Sequence, residues 1–364
     1  MNVVEVYDKL HAMPEIGFQE FKTSAYLAEE LEKMGYSVQR NVGGTGVVGT
    51  YATGNPGPIV GIRADMDALK HLVNGEVVGI HSCGHDAHCA MVLCAAEDII
   101  KTVKKGTVKI IFQPAEELLT GALRMIEDGL LDEMDIIYGV HVRPVQDIPV
   151  GTAAPGVYHA STSFLDVTIH GKTAHGARPH LGINTIDAAA LAVLAVNSIR
   201  TNPVIPSSIK VTGIHAGGAA SNAIPDKTTM ILDVRSQTNA SMADIQEKIR
   251  AAINNAVASV GATAEITVRD VIIPAAELDD ALTDELAEVI KDVLGADKLK
   301  PRLPNPGGED FHFFPIKNPK VKTAYFGLGT GATPGLHDPN MCLDKHSLKN
   351  GVDIIKEIFK RKLG

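Results

Sequence analysis

The chain has 364 residues and a formal net charge of −9, with 45% hydrophobic and 21% charged residues. This length predicts two domains, and the acidic balance without a basic stripe argues against nucleic acid as a partner. No apolar run approaches the ~20 residues that span a bilayer, which argues against a membrane partner. The stretch "MNVVEVYDKLHAMPE" lacks the charged start and apolar core of a signal peptide, so the cytoplasm is the expected location.

Apolar strands alternate with helices along the first 142 residues. The helix "TSAYLAEELEKMGY" has Thr23 or Ser24 as its capping candidate and ends near Gly35. This alternation predicts a largely parallel sheet covered on both faces. The predicted elements are a helix at 23–36, a strand at 57–65, a helix at 87–105, a strand at 107–114, a helix at 122–131 and a strand at 134–142.

A different pattern begins at about residue 161. The order becomes strand, helix, strand, strand, helix, strand, which is typical of a ferredoxin-like α+β domain. After Pro274 the first pattern resumes, with a helix at 279–294, a strand at 321–329 and a last helix at 346–361. The fold prediction is therefore an α/β domain with a mixed, largely parallel sheet and an inserted α+β domain. The predicted boundaries are 1–160 and 272–364 for the first domain and 161–271 for the second.

The chain has four cysteines, Cys83, Cys89, Cys94 and Cys342. A structural disulfide is not expected in a reducing compartment. Cys89 and Cys94 lie in "DAHCAMVLCAAEDII", a predicted buried helix, and are interpreted as small core residues. Cys83 precedes that helix and requires another explanation.

Polar side chains follow several predicted strands at the point where each strand ends. In open α/β sheets, sites form beyond the carboxyl ends of the strands. Thiolate, imidazole and carboxylate together suit Zn²⁺, Mn²⁺, Co²⁺ or Ni²⁺ better than Ca²⁺ or Mg²⁺. The residues expected at this edge are Asp65 and Asp67, Cys83 and His85, Glu116 and Glu117, His141, and His337.

One metal ion would leave several of these groups idle, whereas two would use them all. Ions about 3.5–4 Å apart hold a bridging water and clamp a substrate oxygen. That water needs a base beside it. Glu116 and Glu117 can divide the roles of base and ligand between them.

Seven motifs resemble those of the N-acyl amino acid amidohydrolases, which belong to the aminoacylase and glutamate-carboxypeptidase superfamily. This branch of the superfamily contains the hippurate hydrolases and the plant auxin-conjugate hydrolases. The resemblance covers almost the whole chain, and "CGHD" followed by "EE" at this distance is highly specific. One departure is the stretch "KHLVNGEVVGI", which is shorter than the family's loop at the acyl-binding region and lacks its proline. The motifs are "RADMDAL", "HSCGHDAH", "PAEE", "GVHV", "GKTAHGARPHLGINTI", "NAIPD" and "LHDP".

The resemblance implies a role for each matching residue. Cys83 matches the cysteine that bridges two metal ions, Glu116 the general base, and Asp67 a carboxylate close to the metal pair. His175 matches a lid histidine that reaches the developing oxyanion. The other implied ligands are His85, Glu117, His141 and His337, the substrate-binding candidates are Asn222 and Arg235, weaker candidates are Glu309 and Asp310, and His81 and His88 are expected to pack or to support a ligand.

The resemblance therefore implies a metal-dependent amidohydrolase that cleaves N-acyl amino acids or small peptide-like conjugates. It implies two divalent transition-metal ions per subunit, manganese or zinc in the first place, with cobalt or nickel as alternatives. The inserted domain is expected to act as a lid and as the surface of a homodimer. Three alternatives stay open: a di- or aminopeptidase-like hydrolase, a cysteine amidase that pairs Cys83 with His85 or His141, and a metal- or peptide-binding protein without activity.

Overall fold

The computed structural model describes all residues from Met1 to Gly364, and the chain divides into two compact units. The larger unit comprises residues 1–158, 277–303 and 309–364, and the smaller unit comprises residues 159–276 and 304–308. The helices are α1 Val3–His11, α2 Phe21–Met34, α3 His85–Thr102, α4 Gly121–Glu127, α5 Thr185–Asn197, α6 Asn239–Ala258, α7 Asp280–Leu294, α8 Phe313–Lys317 and α9 Leu348–Leu363. The strands are β1 Ser37–Val42, β2 Gly46–Ala52, β3 Ile59–Asp65, β4 Leu69–Val73, β5 Glu76–Ile80, β6 Thr107–Gln113, β7 Ile136–Pro144, β8 Ala153–Ala154, β9 Val157–His159, β10 Ser161–His170, β11 Ala174–His175, β12 Ser207–Ala216, β13 Ala223–Ile224, β14 Lys227–Ser236, β15 Thr263–Val268, β16 Leu303–Asn305 and β17 Lys322–Ala332.

The larger unit is built on a seven-stranded sheet in the order β1-β2-β6-β3-β7-β17-β8. The four central strands, β6, β3, β7 and β17, are parallel, and the flanking strands are antiparallel. The prediction of a mixed, largely parallel sheet is therefore confirmed. Parallel strands carry their carboxyl ends to the same edge, which is where a site is expected.

The central strands read as nearly continuous apolar runs because both faces of the sheet are buried. In β7, Tyr138, Val140 and Val142 pack into one core cluster, while Ile137 packs into another on the opposite face. Helices α1, α2, α3, α7 and α9 contribute to the first cluster, and α4 and α8 contribute to the second. Cys89 and Cys94 are buried in α3, as the sequence predicted for small core residues.

Several element boundaries differ from the prediction for identifiable reasons. The capping prediction at Thr23 or Ser24 is wrong, because α2 begins at Phe21 and Glu15 accepts hydrogen bonds from the backbone N–H groups of Lys22 and Thr23. The helix does end at Gly35, whose φ of 95° is left-handed. Helix α4 ends at Glu127, four residues earlier than predicted, and α3 begins at His85, two residues earlier.

The smaller unit contains the predicted order of β10, α5, β12, β14, α6 and β15. The four strands named here form an antiparallel sheet in the order β12-β14-β10-β15, and β11 pairs separately with β13. Buried residues of both helices and of the sheet form one core cluster. This arrangement confirms the ferredoxin-like pattern and leaves β12 at one edge of the sheet.

A membrane-spanning segment would need a helix that is both long and apolar. No helix of this chain meets that requirement.

Candidate metal centre

The motif "CGHD" places a thiol and an imidazole on either side of a glycine. Gly84 precedes α3 with a φ of 86°, and a Cβ atom there would lie 2.4 Å from Cγ2 of Val142. Only glycine tolerates both the left-handed backbone and this contact. Because the chain turns at Gly84, Cys83 stands just before the helix and His85 forms its first residue.

Two groups of potential metal donors share Cys83. One group contains Cys83, His85 and His141, and the other contains Cys83, Glu117 and His337. Within each group the donor atoms lie within 4.8 Å of one another. Together the two groups comprise the five residues that the sequence predicted as ligands.

Asp67 orients two members of these groups. Its Oδ1 atom lies 3.1 Å from Nδ1 of His85, and its Oδ2 atom accepts a hydrogen bond of 3.0 Å from the backbone N–H of Glu117. A carboxylate bound to one ring nitrogen fixes the histidine tautomer and leaves the other nitrogen available as a ligand. Nε2 of His85 therefore faces the donor groups, 3.7 Å from Oε1 of Glu117.

His141 is fixed in a similar way by the backbone. Its Nδ1 atom donates a hydrogen bond of 2.6 Å to the carbonyl oxygen of Val142, and its Nε2 atom lies 3.5 Å from Sγ of Cys83. His141 was expected at the carboxyl end of its strand and instead lies inside it, three residues before the end, because β17 pairs with β7 as far as Pro144. The side chain still reaches the site, because alternate residues of a strand share one face and His141 lies on the face that meets Cys83.

His337 reaches the site from the loop after β17. Its backbone N–H donates to the carbonyl oxygen of Ser82 at 2.7 Å, and its φ of 69° is left-handed. Nε2 of His337 lies 3.6 Å from Oε1 of Glu117.

The two adjacent glutamates follow β6 in a short 3₁₀ turn, Glu116–Leu118. Oε2 of Glu116 lies 3.9 Å from Nε2 of His85, so both carboxylates approach the same imidazole. Burial raises the pKa of Glu117 to about 7 and raises the pKa of Glu116 well above its usual value. Burial and the neighbouring Glu117 also raise the pKa of the Cys83 thiol.

These residues fit a metal ion. Nε2 of His85 and Oε1 of Glu117 are buried and lack a hydrogen-bond partner, which is costly unless another group satisfies them. A donor set of sulfur, imidazole nitrogen and carboxylate oxygen is typical of zinc and related transition metals.

Other residues near the centre have supporting contacts. Nδ1 of His88 lies 2.6 Å from Oδ1 of Asp65, and its Nε2 atom accepts a hydrogen bond from the backbone N–H of Val142. Asp65 is thus held between His88 and Arg63. His81 is buried, and neither of its ring nitrogens has a hydrogen-bond partner.

The smaller unit brings two further candidates together. His175 in β11 pairs with Ala223 in β13, and Asn222 accepts a hydrogen bond from the backbone N–H of Gly176. Nδ1 of His175 accepts a hydrogen bond from the backbone N–H of Ala177, so in the neutral ring Nε2 carries the proton. Arg235 lies elsewhere in the same unit, on β14, where it contacts Asp233 and the carbonyl oxygen of Pro306.

Residues 61–361 match the peptidase family M20/M25/M40. The chain belongs to this family. It is 32% identical to thermostable carboxypeptidase 1 of Saccharolobus solfataricus over 96% of this chain and 92% of that protein. It is 33% identical to the hippurate hydrolase of Campylobacter jejuni over 85% of this chain and 84% of that protein.

A solved structure supports the same conclusion. The YXEP protein of Bacillus subtilis, described as a dinuclear metal binding peptidase from the M20 family, is 28% identical, with a TM-score of 0.84. The match covers 99% of this chain and 97% of that one. The present chain is accordingly a metal-binding hydrolase of amide bonds.

Sequence reasoning named Asp65, Glu309 and Asp310 but missed Arg63, which joins them in a buried network. Arg63 lies in the apolar strand β3 and is fully buried, with Gln113, Asp65, Glu309 and Asp310 around its guanidinium. The available signal was an arginine inside an otherwise apolar strand, because a charge at such a position requires partners.

Removal of the shared donor tests the metal centre. We expect metal-free protein to take up about two equivalents of Zn²⁺ or Mn²⁺, and Cys83→Ala to take up at most one tightly. Because the thiol pKa is raised, metal uptake by the parent protein should release a proton from Cys83 and should weaken as the pH falls. Titration calorimetry in buffers of different ionisation enthalpy measures both quantities.

Cys94→Ala is the matched control, since Cys94 is also buried in the larger unit. It should keep both equivalents and the full proton release. Two tightly bound equivalents in Cys83→Ala, with undiminished proton release, would contradict the shared role.

Proposed function

We propose that the protein hydrolyses the amide bond of N-acyl amino acids or small peptide-like conjugates. Cys83 would bridge two divalent ions, and His85, Glu117, His141 and His337 would complete the ligand sets. Manganese or zinc suits these donors, with cobalt or nickel as alternatives. The observation that carries the proposal is that two groups of donors share one thiol.

Each of the chain's own residues has a defined task. Bound metal would supply Lewis acidity, which lowers the pKa of a water and polarises the substrate carbonyl. Glu116 takes the proton of the attacking water and passes it to the leaving amine. Its buried carboxylate is a stronger base than an exposed glutamate, because burial raises its pKa. Asp67 holds His85 and the backbone of Glu117 in place.

The smaller unit would supply the groups that recognise the substrate. His175 would donate from Nε2 to the developing oxyanion, consistent with its Nδ1 being an acceptor. Asn222, adjacent to this histidine, and Arg235 would bind the amino acid part, since a guanidinium matches a carboxylate. The unit would thus act as a lid.

The choice of substrate class draws on the relatives. One of them is named for hydrolysis of hippurate, an N-acyl amino acid, and another is named a carboxypeptidase. A peptidase-like activity on short peptides is therefore the second candidate. A cysteine amidase is a weaker explanation, because burial raises the pKa of Cys83 and leaves its thiol protonated without a metal.

The proposal includes a homodimer formed through the smaller unit and a cytoplasmic location. Strand β12 lies at a sheet edge and carries the exposed Ile214, and the smaller unit also exposes Val204, shortly before this strand, and Leu194 on α5. An edge strand of this kind favours pairing with a second chain.

The proposed cytoplasmic location draws on the cysteines. All four are free, which suits a reducing compartment.

The assignment of the base is tested by Glu116→Gln. The amide keeps the shape of the side chain but cannot accept the proton, so turnover should fall by about 10²–10⁴ while both metal ions stay bound. The assay is a panel of N-acetyl, N-benzoyl and indoleacetyl amino acids with each metal. Glu117→Gln is the matched comparison and should lose metal. Near-normal turnover in Glu116→Gln would reject Glu116 as the general base. Loss of metal from Glu116→Gln would show that Glu116 is the ligand and Glu117 the base.

The role of His175 is tested by His175→Ala. Removal of one oxyanion donor costs about 10²–10³ in rate, so kcat should fall by that much with KM little changed and both metals bound. If the histidine acts across a dimer, mixing His175→Ala with Glu116→Gln subunits should restore one active site per heterodimer. An unchanged kcat would remove His175 from the mechanism.

Substitution on the edge strand tests the dimer. Ile214 is 50% exposed on β12, and a lysine there should block pairing of edge strands. The parent protein should behave as a dimer in sedimentation equilibrium and Ile214→Lys as a monomer. Leu72→Lys, an equivalent change at an exposed position of the larger unit, should stay dimeric. A monomeric parent protein would overturn this part of the proposal.

A further inference from the structure

Arg63 contacts four partners from different parts of the larger unit. Its Nε atom donates to Oε1 of Gln113 at 2.9 Å, and Nη1 donates to Oδ2 of Asp65 at 2.6 Å. Nη2 lies 3.0 Å from Oδ1 of Asp310 and 3.1 Å from Oε1 of Glu309. None of these residues belongs to the five potential ligands.

Asp310 extends this network to both ends of the segment that carries the two glutamates. It accepts a hydrogen bond of 2.8 Å from Nε2 of Gln113, the last residue of β6. It also accepts one of 2.9 Å from the backbone N–H of Ala122, near the start of α4. The segment 114–121 contains Glu116. It is therefore held at each end by hydrogen bonds to Asp310, which in turn contacts the guanidinium of Arg63.

The network also approaches the base directly. Carboxylate oxygens of Glu116, Glu309 and Asp310 lie within 4.8 Å of one another. Glu309 is held by Arg63 and by the hydroxyl of Tyr325, which donates to its Oε2 atom at 2.6 Å. Buried carboxyl groups packed this closely constrain one another, so the position of Glu116 depends on where the other two carboxyl groups are held.

We propose that Arg63 is a positioning residue, which fixes Glu116 relative to the metal donors through Asp310 and Glu309. The inference rests on the proposed role of Glu116 as the base. A lysine cannot replace this arginine, because one ammonium group cannot reach Gln113, Asp65 and Asp310 in the same geometry. The positioning matters because a misplacement of about 1 Å can lower a rate by about 10².

The decisive variant is Arg63→Lys, which keeps the charge and removes the fork geometry. We expect kcat to fall by about 10–100-fold, with KM and metal content close to those of the parent protein. A purely structural role would lower thermal stability and leave kcat per metal-loaded molecule unchanged. That result would overturn the proposal.

A double-mutant cycle separates this inference from the proposed function. If Arg63 acts through Glu116, then Arg63→Lys should cost less than about threefold when Glu116 is already glutamine. Full additivity of the two losses would overturn the positioning role. Near-normal turnover in Glu116→Gln alone would instead reject the proposed base, on which the inference rests.

A milder variant serves if Arg63→Lys does not fold. Tyr325→Phe removes only the hydroxyl that holds Glu309, and kcat should fall by about threefold to tenfold, again less in the Glu116→Gln background. Tyr36→Phe is the matched control, since it also deletes a buried phenolic hydrogen bond, from Tyr36 to the carbonyl oxygen of Ala96. The control should leave kcat unchanged. Equal kcat values in both tyrosine variants would overturn the proposal.

Discussion

Burial of negative charge is the constraint on which the centre of the larger unit depends. Carboxylates removed from water are costly unless protons, hydrogen-bond donors or cations compensate them. Arg63 compensates part of this charge, and divalent ions at the shared donor groups would compensate more. The same burial that creates the cost also raises the pKa of Glu116, a property that suits a general base. The carboxylates concerned are those of Asp65, Asp67, Glu116, Glu117, Glu309 and Asp310.

The backbone around the centre is strained, and buried contacts keep it in place. Ala115, Leu119 and His337 have φ angles of 52°, 57° and 69°, a region that costs residues with a Cβ atom about 1–2 kcal/mol each. Glu20 is fully buried and accepts a hydrogen bond from the backbone N–H of Ala115 at 2.9 Å. The carbonyl oxygen of Ser82 does the same for His337. Strain of this kind clusters at functional sites. Here the strained residues place Glu117 and His337 in one donor group, with Glu116 beside it.

The sequence predicted what depends on local patterns. Apolar strands alternating with helices led to the mixed sheet, and the ferredoxin-like order followed from six elements in series. The rule that sites form beyond the carboxyl ends of the strands identified donors that the structure does bring together, even though His141 lies inside its strand. What escaped prediction depends on partners distant in the chain. Glu15 caps α2 from outside the helix, and Arg63 meets Asp310 across 247 positions.

The stretch after Asp67 is connected to one of the potential metal ligands through Ser82. Strands β4 and β5 form a hairpin there that turns at Asn74 and Gly75, both with left-handed φ. Nε2 of His71 lies 2.8 Å from Oγ of Ser82, the residue whose carbonyl oxygen holds the backbone of His337. A movement of the hairpin would therefore shift Ser82 and, with it, the backbone of His337. Ser82 therefore joins the hairpin to the loop that carries His337, through its hydroxyl on one side and its carbonyl oxygen on the other.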